Sequence, residues 1–377
     1  MRIGLDGMPL AQLKTGVGTY TFELARALAA QSPPDDFELI SPLPFDRAAA
    51  AENKPANLSL VYSKPNVWQR RWWSLGLPSY IRRASLALFH GTNFEVPLRG
   101  SCPAVVTIHD LSLLLHSSTH EARAVLRGRL RLPRMARKAT LIITDAEARR
   151  REICEHLDVP AEKVFAIPLA PRPAFSPAPP EAALETRRRL GIEDNFLLFT
   201  GTVEPRKNVA TLIRAFEEIL RTTELRPQLV IAGRMGWKQN DVLDKLAAKD
   251  IVKITGYVSD EDLRSLYSSC RVFVYPSLYE GFGLPPLEAM ACGAPVIASA
   301  VPSVTSEVAR VVAALDASAL ARSIVELLSD SQARRRLAEA GLKHAATFSW
   351  AQTAMLTREV YKEALTRSAF RDENSVA

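Results

Sequence analysis

Along the first half of the chain, short apolar runs alternate with longer stretches whose apolar residues recur at helical spacing. Residues 2–6, 37–40, 86–89, 105–109 and 141–144 predict strands, and 20–30, 122–139 and 146–156 predict helices. The alternation resumes further on: 196–200, 228–232, 252–255, 272–275 and 295–298 read as strands, with helices at 209–221, 260–269, 286–291 and 317–328. Strands separated by helices imply βαβ units and mostly parallel sheets. Between the two sets, six prolines fall within residues 168–180, a density that neither a helix nor a central strand tolerates. The pattern therefore predicts an α/β protein of two doubly wound domains, 1–178 and 179–356. They are expected to face one another across a cleft, where ligands meet the strand C-termini. The stretch from Trp350 onward reads as helical, and its last part, 357–377, is expected to cross back to the first domain.

Composition narrows the class. With 377 residues, 47% hydrophobic and 24% charged, the chain suits a globular protein with two cores and excludes disordered or collagen-like chains. Its four cysteines, Cys102, Cys154, Cys270 and Cys292, form no CxxC pair, which argues against a disulfide scaffold or a local zinc site and suits a reducing compartment. The first residues, MRIGLDG, read as a strand and not as a signal peptide, and no run of about 18 apolar residues exists to span a membrane. The expectation is a cytoplasmic protein.

The net charge is +7, and residues 1–178 carry all of the excess, with 23 Lys and Arg against 16 Asp and Glu. Such asymmetry predicts an anionic partner for the first domain.

The richest segment runs from Tyr275 to Val296. It reads as a strand end, a glycine-bearing loop and a helix opened by Pro285 and Pro286, where a missing N–H costs nothing. Glycines before a helix N-terminus expose backbone N–H groups that can hold a phosphate. Glu280 and Glu288 lie on either side of that loop and can accept hydrogen bonds from sugar hydroxyls. Arg206 and Lys207, just past a predicted strand end, are two adjacent cations suited to a leaving diphosphate. His109 sits at the end of another predicted strand, followed by Asp110. Gly16-Val-Gly18 precedes a helix, but Thr21 stands where a dinucleotide fingerprint needs a third glycine, and there is no GxxxxGK[ST] motif. Asp260-x-Asp262 has the form of a metal motif, yet Ser259 three residues before Asp262 reads better as a helix N-cap.

The segment Glu280 to Glu288 resembles the E-x7-E signature of the retaining glycosyltransferases of family 4, which have the two-domain GT-B fold. The resemblance covers nearly the whole chain. It implies that Arg206 and Lys207, after the Gly201-containing strand–loop motif, meet the diphosphate of a nucleotide-sugar. It implies further that Gly16 and Gly18 approach that diphosphate, that His109 contacts the donor sugar near its reacting carbon, and that Tyr257 and Val258 hold the nucleobase through their backbone. Glu280 would then position the sugar, with Phe282, Gly283 and Leu284 forming the phosphate loop and Glu288 meeting the ribose. One departure is visible: after Glu307 the chain is several residues shorter than the family's usual loop.

The implied reaction is transfer of a hexose, best mannose from GDP-mannose, to a saccharide or lipid-linked saccharide acceptor in surface polysaccharide synthesis. No cofactor and no metal are expected. Two rivals from other classes are a GT-B-like UDP-sugar epimerase and a basic nucleic-acid-binding protein; for the second, the chain has no recognition module. Finally, residues 64–83 carry Lys64, Arg70, Arg71, Arg82 and Arg83 among Trp68, Trp72, Trp73 and Tyr80, and residues 123–138 add seven basic residues without an acid. Such stretches suit either an anionic membrane surface on the inner face or a solvated face beside core tryptophans.

Overall fold

The computed structural model describes residues 1–11, 16–45, 54–63, 71–236 and 251–376, with side chains to residue 370. The chain divides into two compact units: Met1–Leu115 with Ala122–Leu169 and Ser349–Ala377, and His116–Glu121 with Ala170–Phe348.

In the first unit, seven parallel strands stand in the order β3-β2-β1-β4-β5-β6-β7. They are β1 (Arg2–Asp6), β2 (Asp36–Ser41), β3 (Leu58–Tyr62), β4 (Leu88–Gly91), β5 (Ala104–Thr107), β6 (Leu141–Thr144) and β7 (Val164–Ala166). Helices α1 (Gly16–Gln31), α2 (Leu77–Ala84), α3 (Ala122–Lys138) and α4 (Glu147–Leu157) connect them. The strand order reverses between β1 and β4, the switch point at which open α/β sheets bind ligands.

The second unit repeats the scheme with six parallel strands, β10-β9-β8-β11-β12-β13. They are β8 (Phe196–Thr200), β9 (Gln228–Ala232), β10 (Val252–Gly256), β11 (Val272–Tyr275), β12 (Val296–Ala298) and β13 (Arg310–Val311). Among the described residues, its helices are α5 (Pro180–Leu190), α6 (Val209–Thr222), α7 (Asp260–Ser269), α8 (Leu284–Ala291), α9 (Ala317–Ser329) and α10 (Ser331–Ala345). Here the reversal falls between β8 and β11, whose residues are wholly buried, as strands covered on both faces must be.

The crossing between units falls at Leu169/Ala170, ahead of the expected 178/179. The reason is local: Arg172 forms ion pairs with Asp260 and Glu288, and its guanidinium lies 4.2 Å from the centre of the Phe175 ring. Those contacts tie the start of the proline-rich stretch to the second unit. The final helix, α11 (Trp350–Val376), joins the first unit from Ser349 and not only from 357. It lies along α1, with the Trp350 and Tyr20 rings 6.3 Å apart. Gln31 of α1 donates to the Ala351 carbonyl at 2.7 Å.

For the aromatic residues of the basic stretch 64–83, the structure favours the core alternative. Trp72 is buried in a core cluster with Ile40, Ile81 and Phe89, and Trp73 packs against it. Tyr80 donates to Glu38 at 2.7 Å. Large apolar rings gain more from that core than from water. Lys64, Trp68 and Arg70 lie outside the described residues.

Candidate active site

In the second unit, the loops after β8 and β11 meet across the switch point. Gly201 ends β8 with φ 131°, and a side chain at the neighbouring Gly233 would run into the Gly201 carbonyl, so the two strand ends approach as only glycine allows. Pro205 to Lys207 then make one 3-10 turn, closed by Asn208 in the left-handed region, and this turn presents both cations.

Lys207 Nζ lies 2.6 Å from Glu280 Oε1 and donates to the Tyr275 hydroxyl, also at 2.6 Å. Arg206 bridges Glu280 Oε2 at 3.0 Å and Glu204 Oε1 at 2.8 Å, and donates to the Tyr279 carbonyl at 2.9 Å. Tyr275 and Ser277 add hydroxyl donors to Glu280 Oε1. Burial alone would push the Glu280 carboxyl up, but Lys207 and Arg206 outweigh it and hold the group at about 2. Its ion pairs therefore stabilise the fold at neutral pH, and that contribution is lost as pH falls from about 4.5 toward about 2. Burial, reinforced by Arg206, pushes the Lys207 ammonium the other way, down from 10.5.

The expectation of two cations awaiting a diphosphate thus needs one change. Glu204 and Glu280 already balance Arg206 and Lys207, because buried charges without a counter-ion are too costly to keep. An arriving diphosphate would share these cations with the carboxylates.

The helix beyond the loop also gains detail. Gly283 caps α8 at φ 101°, and a side chain there would strike Ser303 and Val301, so the loop needs glycine twice over, for conformation and for space. Pro285 and Pro286 carry no N–H, which leaves Gly283 and Leu284 as the backbone donors at this helix end. Phe282, just ahead, is buried against Phe348, their ring centres 5.8 Å apart.

Glu288 is buried and held by a residue that the sequence reading did not single out. Arg172 reaches Glu288 Oε1 with Nε at 2.8 Å and Oε2 with Nη2 at 3.1 Å. Its remaining arm donates to Asp260 at 2.6 Å. This fork occupies one acceptor site on each Glu288 oxygen and leaves the carboxylate further lone pairs for a hydroxyl. The guanidinium itself is raised above its ordinary value: burial opposes its charge, and Glu288 and Asp260 overcome that.

At the outer strand ends, Tyr257 is 55% exposed and the Arg234 guanidinium lies 5.4 Å from its ring centre. The D-x-D pair behaves as capping chemistry: Asp262 N–H donates to Ser259 Oγ at 3.1 Å, Asp260 is paired with Arg172, and the Asp262 carboxylate with Arg189.

In the first unit, Gly16 opens α1 and Gly18 is buried in its first turn. His109 stands two residues past β5, buried beneath the Tyr20 ring, which meets it edge-on at 4.7 Å. Its Nδ1 is 2.9 Å from Asp145 Oδ2 at the end of β6, and its Nε2 is 3.1 Å from the Thr92 carbonyl. Asp110 accepts from the Ser112 N–H at 2.8 Å, so it caps the following turn. Asp145 was not legible as a partner because it lies 36 residues from His109.

Comparison with known proteins identifies the family. Residues 14–170 match the family model described as Glycosyltransferase Family 4, and residues 184–344 match Glycosyl transferases group 1. The O-antigen chain mannosyltransferase B of Escherichia coli is 32% identical over 96% of this chain and 100% of its own length. Among solved structures, sucrose-phosphate synthase from Thermosynechococcus elongatus superposes with a TM-score of 0.77 at 21% identity, covering 97% of this chain and 99% of that one. WaaG, a glycosyltransferase involved in lipopolysaccharide biosynthesis, gives 0.72 at 16%, covering 96% and 99%. Two Rossmann-like sheets, each with its switch point, and full-length similarity to a glycosyltransferase place this chain in glycosyltransferase family 4, with the GT-B fold.

Proposed function

We propose that the chain is a retaining mannosyltransferase that takes mannose from GDP-mannose to a saccharide or lipid-linked saccharide acceptor in surface polysaccharide assembly. The observation that carries this reading is the full-length similarity to a protein named O-antigen chain mannosyltransferase B. In the second unit, Arg206, Lys207 and the N–H groups of Gly283 and Leu284 take the diphosphate beside Gly201 and Phe282. Glu280 orients the sugar, Glu288 meets the ribose, and the backbone of Tyr257 and Val258 meets the base. Gly16, Gly18 and His109 are the first unit's contributions to transfer. The bond from the sugar's anomeric carbon to the diphosphate oxygen breaks, and the acceptor hydroxyl oxygen bonds to that carbon on the same face. The hydroxyl proton leaves with the diphosphate.

We further propose that transfer needs no metal, since Asp260 and Asp262 are each engaged by an arginine. Thermal melting tests the donor assignment, because a ligand bound by the native state raises Tm. GDP and GDP-mannose should raise Tm more than UDP or dTDP, with the rise unchanged in EDTA. A larger shift with UDP would reassign the donor, and a shift that requires Mg²⁺ would overturn the metal-free reading.

A membrane-facing surface belongs to this proposal too. Arg123, Leu126, Arg127, Leu130, Arg134 and Arg137 are exposed along one face of α3, with Leu126 at 62% and Leu130 at 69%. Several cations near an anionic surface contribute about 1 kcal/mol each. The protein should co-sediment with anionic but not neutral vesicles, and reversing Arg123, Arg127 and Arg134 to Glu should abolish this. Equal binding to neutral vesicles would remove the role of charge. Among the described residues, no helix is long and apolar enough to cross a membrane.

A further inference from the structure

Among the described residues, the His109 ring nitrogens face two partners, and both accept. Nδ1 faces both oxygens of Asp145, at 3.1 and 2.9 Å, and Nε2 faces the backbone carbonyl of Thr92 at 3.1 Å. A neutral imidazole has one N–H and one lone pair, so it can serve only one of two acceptors. We infer that His109 is held as an imidazolium in the folded chain, and that Asp145 is the positioning residue that keeps it charged and fixes its ring. The other arrangement that fills both contacts places a proton on Asp145, donated to a neutral Nδ1. The geometry disfavours it: a carboxyl O–H presents one oxygen to its partner, whereas here both lie within 0.2 Å of the same distance from Nδ1.

Burial, with Asp110 adding to it, pushes the Asp145 carboxyl above its ordinary value against the pull of His109, while the rest of the surroundings favour the cation at His109. Asp110, the adjacent residue, adds a second negative charge that favours a cation at His109. His90 on β4, whose ring is driven down to about 3 by burial with the His109 charge adding to it, is neutral and competes for no proton. The His90 ring nitrogens lie 2.7 Å from the Tyr361 hydroxyl of α11 and 2.8 Å from Thr107 Oγ1, and Thr107 Oγ1 in turn lies 2.8 Å from the Tyr20 hydroxyl. Tyr20 and Phe94 set their rings perpendicular to His109, at 4.7 and 6.3 Å. Burial works against the imidazolium, and the charge and hydrogen bond of Asp145, with Asp110 and the Thr92 carbonyl, outweigh it.

The consequence for transfer rests on the glycosyltransferase reading. With both ring protons donated, His109 has no lone pair with which to take the acceptor's proton. It acts as a fixed positive charge at the end of β5 and not as a general base. A base that must be neutral gives a rate rising with pH through its pKa; a required cation gives a rate that falls there.

The test is ¹⁵N NMR on the full chain with labelled histidine, the His109 signals being identified by their loss in His109→Gln. Both ring nitrogens should be protonated from pH 6 to pH 8. In Asp145→Asn one of them should lose its proton within that range, while Asp145→Glu restores the parent behaviour in part. Turnover of Asp145→Asn should fall as pH rises through the same range, with KM for the donor little changed. A neutral His109 ring at pH 7 in the unmodified protein overturns the inference, even if Asp145→Asn fails to fold. The spectrum reads the ring directly, so absence of mannosyl transfer would count against the function alone.

Discussion

Replacing Lys207 with alanine should lower turnover on the order of 10²-fold or more, and Arg206→Ala should do the same. Each contributes a desolvated cation beside the loop at the start of α8, where the proposed function has charge build on the departing diphosphate. The side chains are 12% and 15% exposed, so water screens them little. Without a ligand, Glu280 and Glu204 balance them, which makes the cluster neutral and stable before the donor arrives. Loss of one cation is therefore expected to have two effects: less stabilisation of the leaving group, and a Glu280 carboxylate left in excess where the proposed diphosphate sits. Steady-state kinetics should show the loss mainly in kcat. Near-normal rates in both variants would remove the diphosphate from this cluster. Lys207→Arg is not expected to restore activity, because the fork is larger and places its donors differently.

The second large effect is on Arg172→Ala. Its guanidinium is 16% exposed and pairs with two acids, of which Glu288 is 5% exposed. Removing it leaves a buried carboxylate without its counter-ion, a change that costs about 3–5 kcal/mol. In a unit of this size that lowers Tm by roughly 10 °C. Glu288 also loses the fork that fixes its direction toward the proposed ribose, so affinity for nucleoside diphosphate should drop in the same variant. Arg172→Lys keeps the charge without the bidentate geometry and should recover part of both. A melting temperature and nucleotide affinity equal to the parent's in Arg172→Ala would show that the triad is incidental.

Central strands were readable because they are buried on both faces and appear as near-continuous apolar runs: 141–144, 196–200, 228–232 and 272–275 fall where the pattern put them, and so does 2–6 despite its charged ends. The strands it missed are edges. β3 buries only its first residue and leaves the rest half-buried or exposed, β7 has three residues, and β13 has two, both exposed. Edge strands are kept short and half-polar, which erases the hydrophobic signal. Helices α2, α5 and α10 were also missed, although Asp330 caps α10 through the Gln332 and Ala333 N–H groups. At the site, residues carried by contiguous motifs were legible, among them Arg206, Lys207, Glu280 and Gly283. Partners distant in sequence were not. Arg172 lies 116 residues before Glu288 and looked like a linker residue between prolines. The neutralising role of Glu280 and Glu204 was hidden too, because charge balance in a buried cluster is set by distances that spacing alone does not give.

The most direct measurement of the central claim is the product itself. The full chain, incubated with GDP-α-mannose and a lipid-linked saccharide acceptor, should release GDP and form a new mannoside in equal amounts. NMR of that product reads its anomeric configuration, and the account predicts an α-linkage. A β-linkage would contradict retention, and an altered sugar or sugar-nucleotide formed without any acceptor product would contradict transfer.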